Sequence, residues 1–214
     1  MRLLDGVEPG RALDVPCGTG LLARELAARG HVVRGLDLDV GPARAAGIDA
    51  TAGDMETALP FAASSFDLVA CLEGIEHIEN QRSFLMEVAR VLAPKGRLVI
   101  STPNVLGHPS RSSLARKGYA RFFRPLPAGS PTPYEHAHRH PIDLVRLEHL
   151  LAEAGLSIEA FDGDAGPDGG ARRLRRLRLR FATRSIARHN PRADLLLHPA
   201  VFHSRVIVLR ARKA

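Results

Sequence analysis

Tryptophan is absent from the 214 residues, and two tyrosines and eight phenylalanines make up the aromatic content, so aliphatic side chains must fill the core. Two cysteines, Cys17 and Cys71, supply neither a disulfide framework nor the paired spacing of a zinc knuckle. No apolar run approaches the length that spans a bilayer, and the opening MRLLDGVEPGR has no signal-peptide apolar core. A reducing, cytoplasmic setting is the expectation. The length suits one α/β domain with a real hydrophobic core.

Acidic side chains are missing from one region. Residues 1–168 carry 17 Lys and Arg against 22 Asp and Glu, whereas residues 169–214 carry 13 against one, Asp194. The net charge of +7 therefore describes a basic tail on an acidic body.

Strand-like and helix-like segments alternate through residue 102, the pattern of a parallel sheet covered on both faces. Strands are expected at 11–16, 32–37, 49–53, 66–71 and 97–102, with helices at 19–29, about 41–46, and 80–93. The last helix sets Phe84, Val88, Val91 and Leu92 on one face, with Pro94 and Gly96 beyond it as stop signals. Residues 103–141 hold seven prolines and read as a long substrate loop that stays off the core. A helix over 143–154 follows, N-capped by Asp143 and ended by Gly155, then strands LSIEAF and SRVIVLRAR. Between these strands Arg172, Arg176, Arg180, Arg184 and Arg188 recur every four residues beside a stripe of Leu174, Leu177 and Phe181. Residues 176–181 also alternate as a strand would, but the continuation loses that period, which favours helix. The organisation expected is one domain over 1–214, with a substrate-loop insertion at about 103–141 and an Arg-rich insertion at about 169–192.

Residues 13–30, LDVPCGTGLLARELAARG, form an apolar strand, a glycine turn and a helix. Gly18, Gly20 and Ala23 fit the G-x-G-x-x-G/A pattern, and Asp37 lies 17 residues beyond Gly20, so a dinucleotide is the first candidate ligand. A diphosphate on a helix N-terminus wants no carboxylate nearby. Here Asp14, Asp37 and Asp54 stand at three successive strand ends, which suits a cationic nucleoside. That pattern favours S-adenosylmethionine (SAM).

The consecutive stretches ALDVPCGTG, GLDLD, AGDMETALPFAASSFDLVACLEGIEHIEN and FLMEVARVLAPKGRLVISTPN resemble the motifs of class I SAM-dependent methyltransferases. They are most similar to the small-molecule type that includes the ubiquinone-biosynthesis O-methyltransferases. The resemblance covers residues 11–162, and the last strand loosely. It implies a Rossmann-like seven-stranded sheet of order 3-2-1-4-5-7-6, the last strand antiparallel, with helices on both faces. It also implies that Asp14 and the Gly18–Gly20 turn meet the methionine end of the cofactor. Asp37 would accept both ribose hydroxyls, Asp54 the adenine amino group, and Met55 would pack on the adenine. Pro16, Leu38 and Glu73 complete the expected cofactor set. Pro16 and Cys17 depart from the small residues of many relatives, and Pro16 removes one N–H from the turn. Relatives usually carry a longer N-terminal lid; here it is missing, supplied by residues 103–141, or lost to a misassigned start.

Methyl transfer is an in-line displacement driven by the sulfonium, so the protein must align the acceptor and take its proton. Glu73, Glu76 and His77 fall on one face of a helical turn. They could bind a divalent metal or simply hydrogen-bond the loop, and the metal is not favoured. His136, His138 and His140 alternate in a loop. A histidine suits removal of a hydroxyl proton, His77 first and His138 second. The arginine segment could meet nucleic-acid phosphates, an anionic membrane surface, or a phosphorylated or carrier-linked substrate, or it could be a solvated helix balanced by the acidic body. Stacking aromatics are nearly absent from it, and no Asp/Asn-Pro-Pro-aromatic stretch follows the fourth strand, so nucleic acid is not favoured. The expected function is methylation of a small molecule, at oxygen. An RNA methyltransferase gripping phosphates with the tail and a non-catalytic SAM-binding partner subunit are the rivals. Sequence leaves the oligomeric state undefined.

Overall fold

A computed structural model describes residues 2–126, 138–164, 188 and 191–214. The central sheet has seven strands in the order β3-β2-β1-β4-β5-β7-β6. The strands are β1 (Arg11–Asp14), β2 (Val32–Asp37), β3 (Ala50–Ala52), β4 (Phe66–Leu72), β5 (Leu92–Pro103), β6 (Leu156–Gly163) and β7 (Val206–Lys213). β1 to β5 run parallel, and β7 is antiparallel to both β5 and β6. The expected Rossmann-like order, with its antiparallel last strand, is the observed one.

Alternation along the central strands feeds two cores. Leu13, Val69, Cys71, Leu98 and Ile100 face one side, and Ala12, Leu68, Ala70 and Val99 the other. The first side is covered by α3 (Gln81–Val91), which buries Phe84, Leu85, Val88 and Val91, and by α5 (Leu144–Glu153), which buries Leu144, Leu147 and Leu151. The second side is covered by α1 (Leu21–Ala28) through Leu26. Burying a side chain such as Phe84 stabilises the fold by about 1.5–3 kcal/mol. Asp143 caps α5 as expected, accepting from the N–H groups of Val145 and Arg146. Gly155 takes the left-handed conformation after it.

Local chemistry moves several expected boundaries. β1 ends at Asp14 and not at Pro16: Val15 still donates to the Ala70 carbonyl, but Pro16 has no N–H to extend the ladder. α3 stops at Val91, because Leu92 is already extended and pairs with Phe66, so Pro94 and Gly96 lie in the irregular start of β5. The largest correction concerns residues 103–141. Part of this stretch is a helix, α4 (His108–Lys117), with Pro109 in its first turn and Gly118 in the left-handed conformation at its end. Its Ser110 and Ser113, and Asn104 before it, are buried, so this part joins the body. A short α2 (Gly41–Ala45) follows β2, and α6 (Ala193–Leu196) and α7 (Pro199–His203) precede β7. The expected helix over the arginine segment, and His136, lie outside the described residues; Arg188 is exposed.

Candidate active site

Asp14, Pro16, Gly18 and Gly20 lie at or beyond the C-terminal end of β1, Asp37 and Leu38 of β2, Asp54 and Met55 of β3, and Glu73, Glu76 and His77 of β4, the edge where open α/β sheets bind ligands. The glycine turn leaves β1 with Gly18 and Gly20 at positive φ. A side chain on Gly20 would also strike Ile48, its Cβ falling 2.8 Å from Cγ1, so both the fold and the turn require glycine there. Gly20 caps α1 without a side-chain bond, and of the N–H groups in that first turn the one of Ala23 faces Asp14. Asp14 is buried, and its Oδ2 has no hydrogen-bond partner. Burial pushes its carboxyl up to about 7, the Asp37 charge adds to that, and the Ala23 N–H works against it.

Asp37 closes the turn. Its Oδ2 accepts from the Gly18 N–H at 2.8 Å and its Oδ1 from the Asp39 N–H at 3.2 Å. Leu38 beside it is 63% exposed, an apolar side chain left facing solvent. Beyond β3, exposed Asp54 accepts from the Glu56 N–H, while Met55 is buried. Pro16 is half-buried, against the position a Cβ on Gly74 would take.

The ends of β4 and β5 are built differently. Glu73 is a non-glycine residue in the left-handed region, φ 51°. Ser101 anchors it twice, its Oγ accepting from the Glu73 N–H and donating to Oε1 at 2.8 Å. Burial raises its carboxyl above the ordinary range, and Asp164 adds to that. The short 3-10 turn Ile75–His77 then buries Glu76 completely. No hydrogen bond of good geometry reaches either Glu76 carboxylate oxygen or the buried Thr102 hydroxyl, although that hydroxyl and the Glu76 N–H lie near enough to pull against the carboxyl's upward shift. Burial pushes Glu76 up to about 8.

Residues 138–140 cross this turn. The His140 N–H donates to the Glu76 carbonyl at 3.1 Å. The Gln81 amide, itself buried, donates to the carbonyls of Ile75 and His140. This clasp brings the two candidate bases together: the rings of His77 and His138 meet edge to face, centroids 4.8 Å apart. Phe123 also lies against His138, at 5.8 Å. Burial, and then the neighbouring His77, hold His138 below the ordinary histidine range. Ligand atoms of Glu76, His77 and His138 lie within 4.8 Å of one another. The expected trio of Glu73, Glu76 and His77 is therefore regrouped: Ser101 holds Glu73, and His138 takes its place. Sequence reasoning passed over Gln81, Ser101 and Thr102. Only Gln81 carried a signal, as a polar residue opening an apolar helix.

The Rossmann-like sheet with its antiparallel β7, the glycine turn and the strand-end carboxylates together form the fold seen in SAM-dependent methyltransferases. Residues 13–100 match the family described as Methyltransferase domain. A curated relative, the ubiquinone biosynthesis O-methyltransferase of Alkalilimnicola ehrlichii, is 32% identical over 169 residues, covering 75% of this chain and 66% of that protein. The corresponding protein of Xanthomonas axonopodis is 32% identical over 162 residues, 72% of this chain and 65% of its own length. The chain thus spans just under two thirds of these relatives. Among solved structures, a SAM-dependent methyltransferase from Mesorhizobium loti is similar with a TM-score of 0.64 at 19% identity, over 99% of this chain and 95% of that one. The [4+2]-cyclase SpnF is similar with a TM-score of 0.59 at 22% identity, over 99% of this chain and 80% of that one. In sequence over residues 13–100 and in fold over its length, the chain is thus similar to SAM-dependent methyltransferases. Among the described residues, no helix is long and apolar enough to cross a membrane.

Proposed function

We propose that this chain transfers the methyl group of SAM to a hydroxyl oxygen of a small molecule. The observation that carries this reading is the packing of His77 against His138 beside buried Glu76, on the same sheet edge as the glycine turn. The O-methyltransferase relatives support it. SAM held at this edge would supply the electrophilic methyl group, with S-adenosylhomocysteine (SAH) as the leaving group, and the chain's own part is to hold the acceptor hydroxyl and take its proton on an imidazole nitrogen. His77 is the proposed base. His138, kept neutral at physiological pH by its burial, is the second acceptor.

In this reading Asp14, Pro16, Gly18 and Gly20 hold the methionine end, where a carboxylate and a helix N-terminus suit an ammonium and a carboxylate. Asp37 and Leu38 would take the ribose, Asp54 and Met55 the adenine, and Glu73 would line the wall of the cofactor site. Asp37 would exchange its bonds to the Gly18 and Asp39 N–H groups for ribose hydroxyls.

A second reading is favoured by the 4.8 Å grouping of Glu76, His77 and His138. One carboxylate and two imidazoles fit a divalent cation, and the orphaned Glu76 oxygens and His138 Nδ1 suit that use. A cation there would lower the pKa of an acceptor hydroxyl. The deciding experiment is turnover of radiolabelled SAM with hydroxylated aromatic acceptors, before and after chelation. Transfer that survives chelation and is lost in His77→Ala supports the imidazole base. Transfer lost on chelation and restored by a divalent ion selects the cation. No SAH binding by calorimetry would sink both. The tail as an RNA grip and the chain as a non-catalytic partner gain no support from the site or the relatives.

A further inference from the structure

Arg111 lies in the first turn of α4, half-buried, with its guanidinium 4.8 Å from the centroid of the buried Phe202 ring. Other partly buried arginines have carboxylate partners: Arg90 has Glu87, Arg97 and Arg210 share Glu159, and Arg192 has Glu148. Arg111 has none among the described residues. Three effects oppose its charge there: burial removes water from it, the N-terminal end of a helix dipole repels a cation, and the first turn carries no acidic residue. Stacking on Phe202 offsets part of this cost.

The position is rigid. The buried Asn104 amide donates to the carbonyls of Val201 and Ser204, and its oxygen accepts from the N–H groups of Leu106 and Gly107. Ser110 Oγ donates to the Asn104 carbonyl at 2.6 Å. α4 is thereby fixed to the end of β5 and to the α7–β7 connection, on the sheet edge that carries Glu73, Glu76 and His77. The Ser204 hydroxyl, fully buried in the same corner, has no partner.

We infer that Arg111 is a specificity residue that docks an anionic group, carboxylate or phosphate, carried by the acceptor. A planar guanidinium on a rigid aromatic base offers two parallel N–H donors, which match either oxyanion. An anion would supply the charge that the protein withholds, while the opposite end of the acceptor reaches toward His77. The inference rests on the small-molecule methyltransferase reading and narrows its substrate class to acids and phosphate esters.

The test uses the full chain saturated with SAH and three probes in low salt: benzoate, phenyl phosphate and the neutral benzamide. Calorimetry should give at least tenfold tighter binding for benzoate or phenyl phosphate than for benzamide, and the tighter of the two identifies the anion. Arg111→Gln should abolish that preference and leave SAH affinity within twofold. Equal affinities in the unmodified chain, or an undiminished preference in Arg111→Gln, would overturn the assignment. If Arg111→Gln fails to fold, Arg111→Lys decides: loss of the planar fork should cut the preference severalfold, and an unchanged ratio counts against it. If the unmodified chain binds no SAH, the methyltransferase reading fails on its own, and the anion preference of the free chain still reads out Arg111.

Discussion

The cofactor half and the acceptor half of the site sit on one sheet edge but follow opposite rules. At the ends of β2 and β3 the carboxylates are partly or fully exposed and bonded to N–H groups of their own or a neighbouring loop, as Asp37 is to Gly18 and Asp39, and Asp54 to Glu56. At the ends of β4 and β5 the polar groups are buried and several lack partners: Glu76, Thr102 and His138 Nδ1. A satisfied, solvated carboxylate is cheap to keep and exchanges one set of donors for another. An unsatisfied buried group costs stability and persists where a ligand or a proton completes it. Asp14 belongs by position to the first half and by burial to the second. The two halves should therefore fail separately.

The largest effect is expected at the acceptor end. His77→Ala should lower turnover by about 10²–10⁴-fold, the usual scale of one general base. Its SAH affinity should hold, and a parallel loss of SAH binding would merge the two halves.

Asp37→Ala should do the converse, weakening SAH by about 1–3 kcal/mol because a charged hydrogen-bond acceptor is lost. Calorimetry reads this directly, and an unchanged affinity would remove Asp37 from the ribose site.

Glu76 and Asp14 predict a pH effect of defined sign. Both carboxyls titrate higher in the folded chain than their ordinary values, at about 8 and about 7. Between those ordinary values and the folded ones, the native state holds protons that the unfolded chain has released. Stability should therefore be full in acid and fall as pH rises from about 4 to 8. Melting temperature measured in chelator should show that slope, and Glu76→Gln should flatten its upper part. A melting temperature rising over this interval in both proteins would contradict the buried, orphaned carboxyl.

Asp143→Ala gives the smallest effect. It should cost about 1 kcal/mol of stability through the lost cap of α5, without touching SAH affinity or turnover.

The same contrast governs what the sequence disclosed. Asp14, the glycine turn, Asp37 and Asp54 follow one another along the chain, each just after an apolar strand, so pattern and position made them visible. The strand order came through the resemblance those motifs carry. His77 and His138 were each singled out, but their contact depends on the Gln81 clasp across a distant segment, which no local pattern encodes. α4 was hidden because Pro109 reads as a breaker, although proline is welcome in the first turn of a helix. Arg111 was lost with it.

The placement of β7 between β5 and β6 fixes an order of events during synthesis. β5 emerges early and is already flanked by β4, yet its other edge finds its partner only when residues 206–213 leave the ribosome. Until then a long strand carrying Leu98, Val99 and Ile100 presents unpaired backbone, the surface that recruits other chains. β6 waits as well, since β7 is its neighbour in the sheet. A ribosome stalled before residue 206 would hold every residue of the glycine turn and the strand-end carboxylates on a chain whose β5 edge is still open.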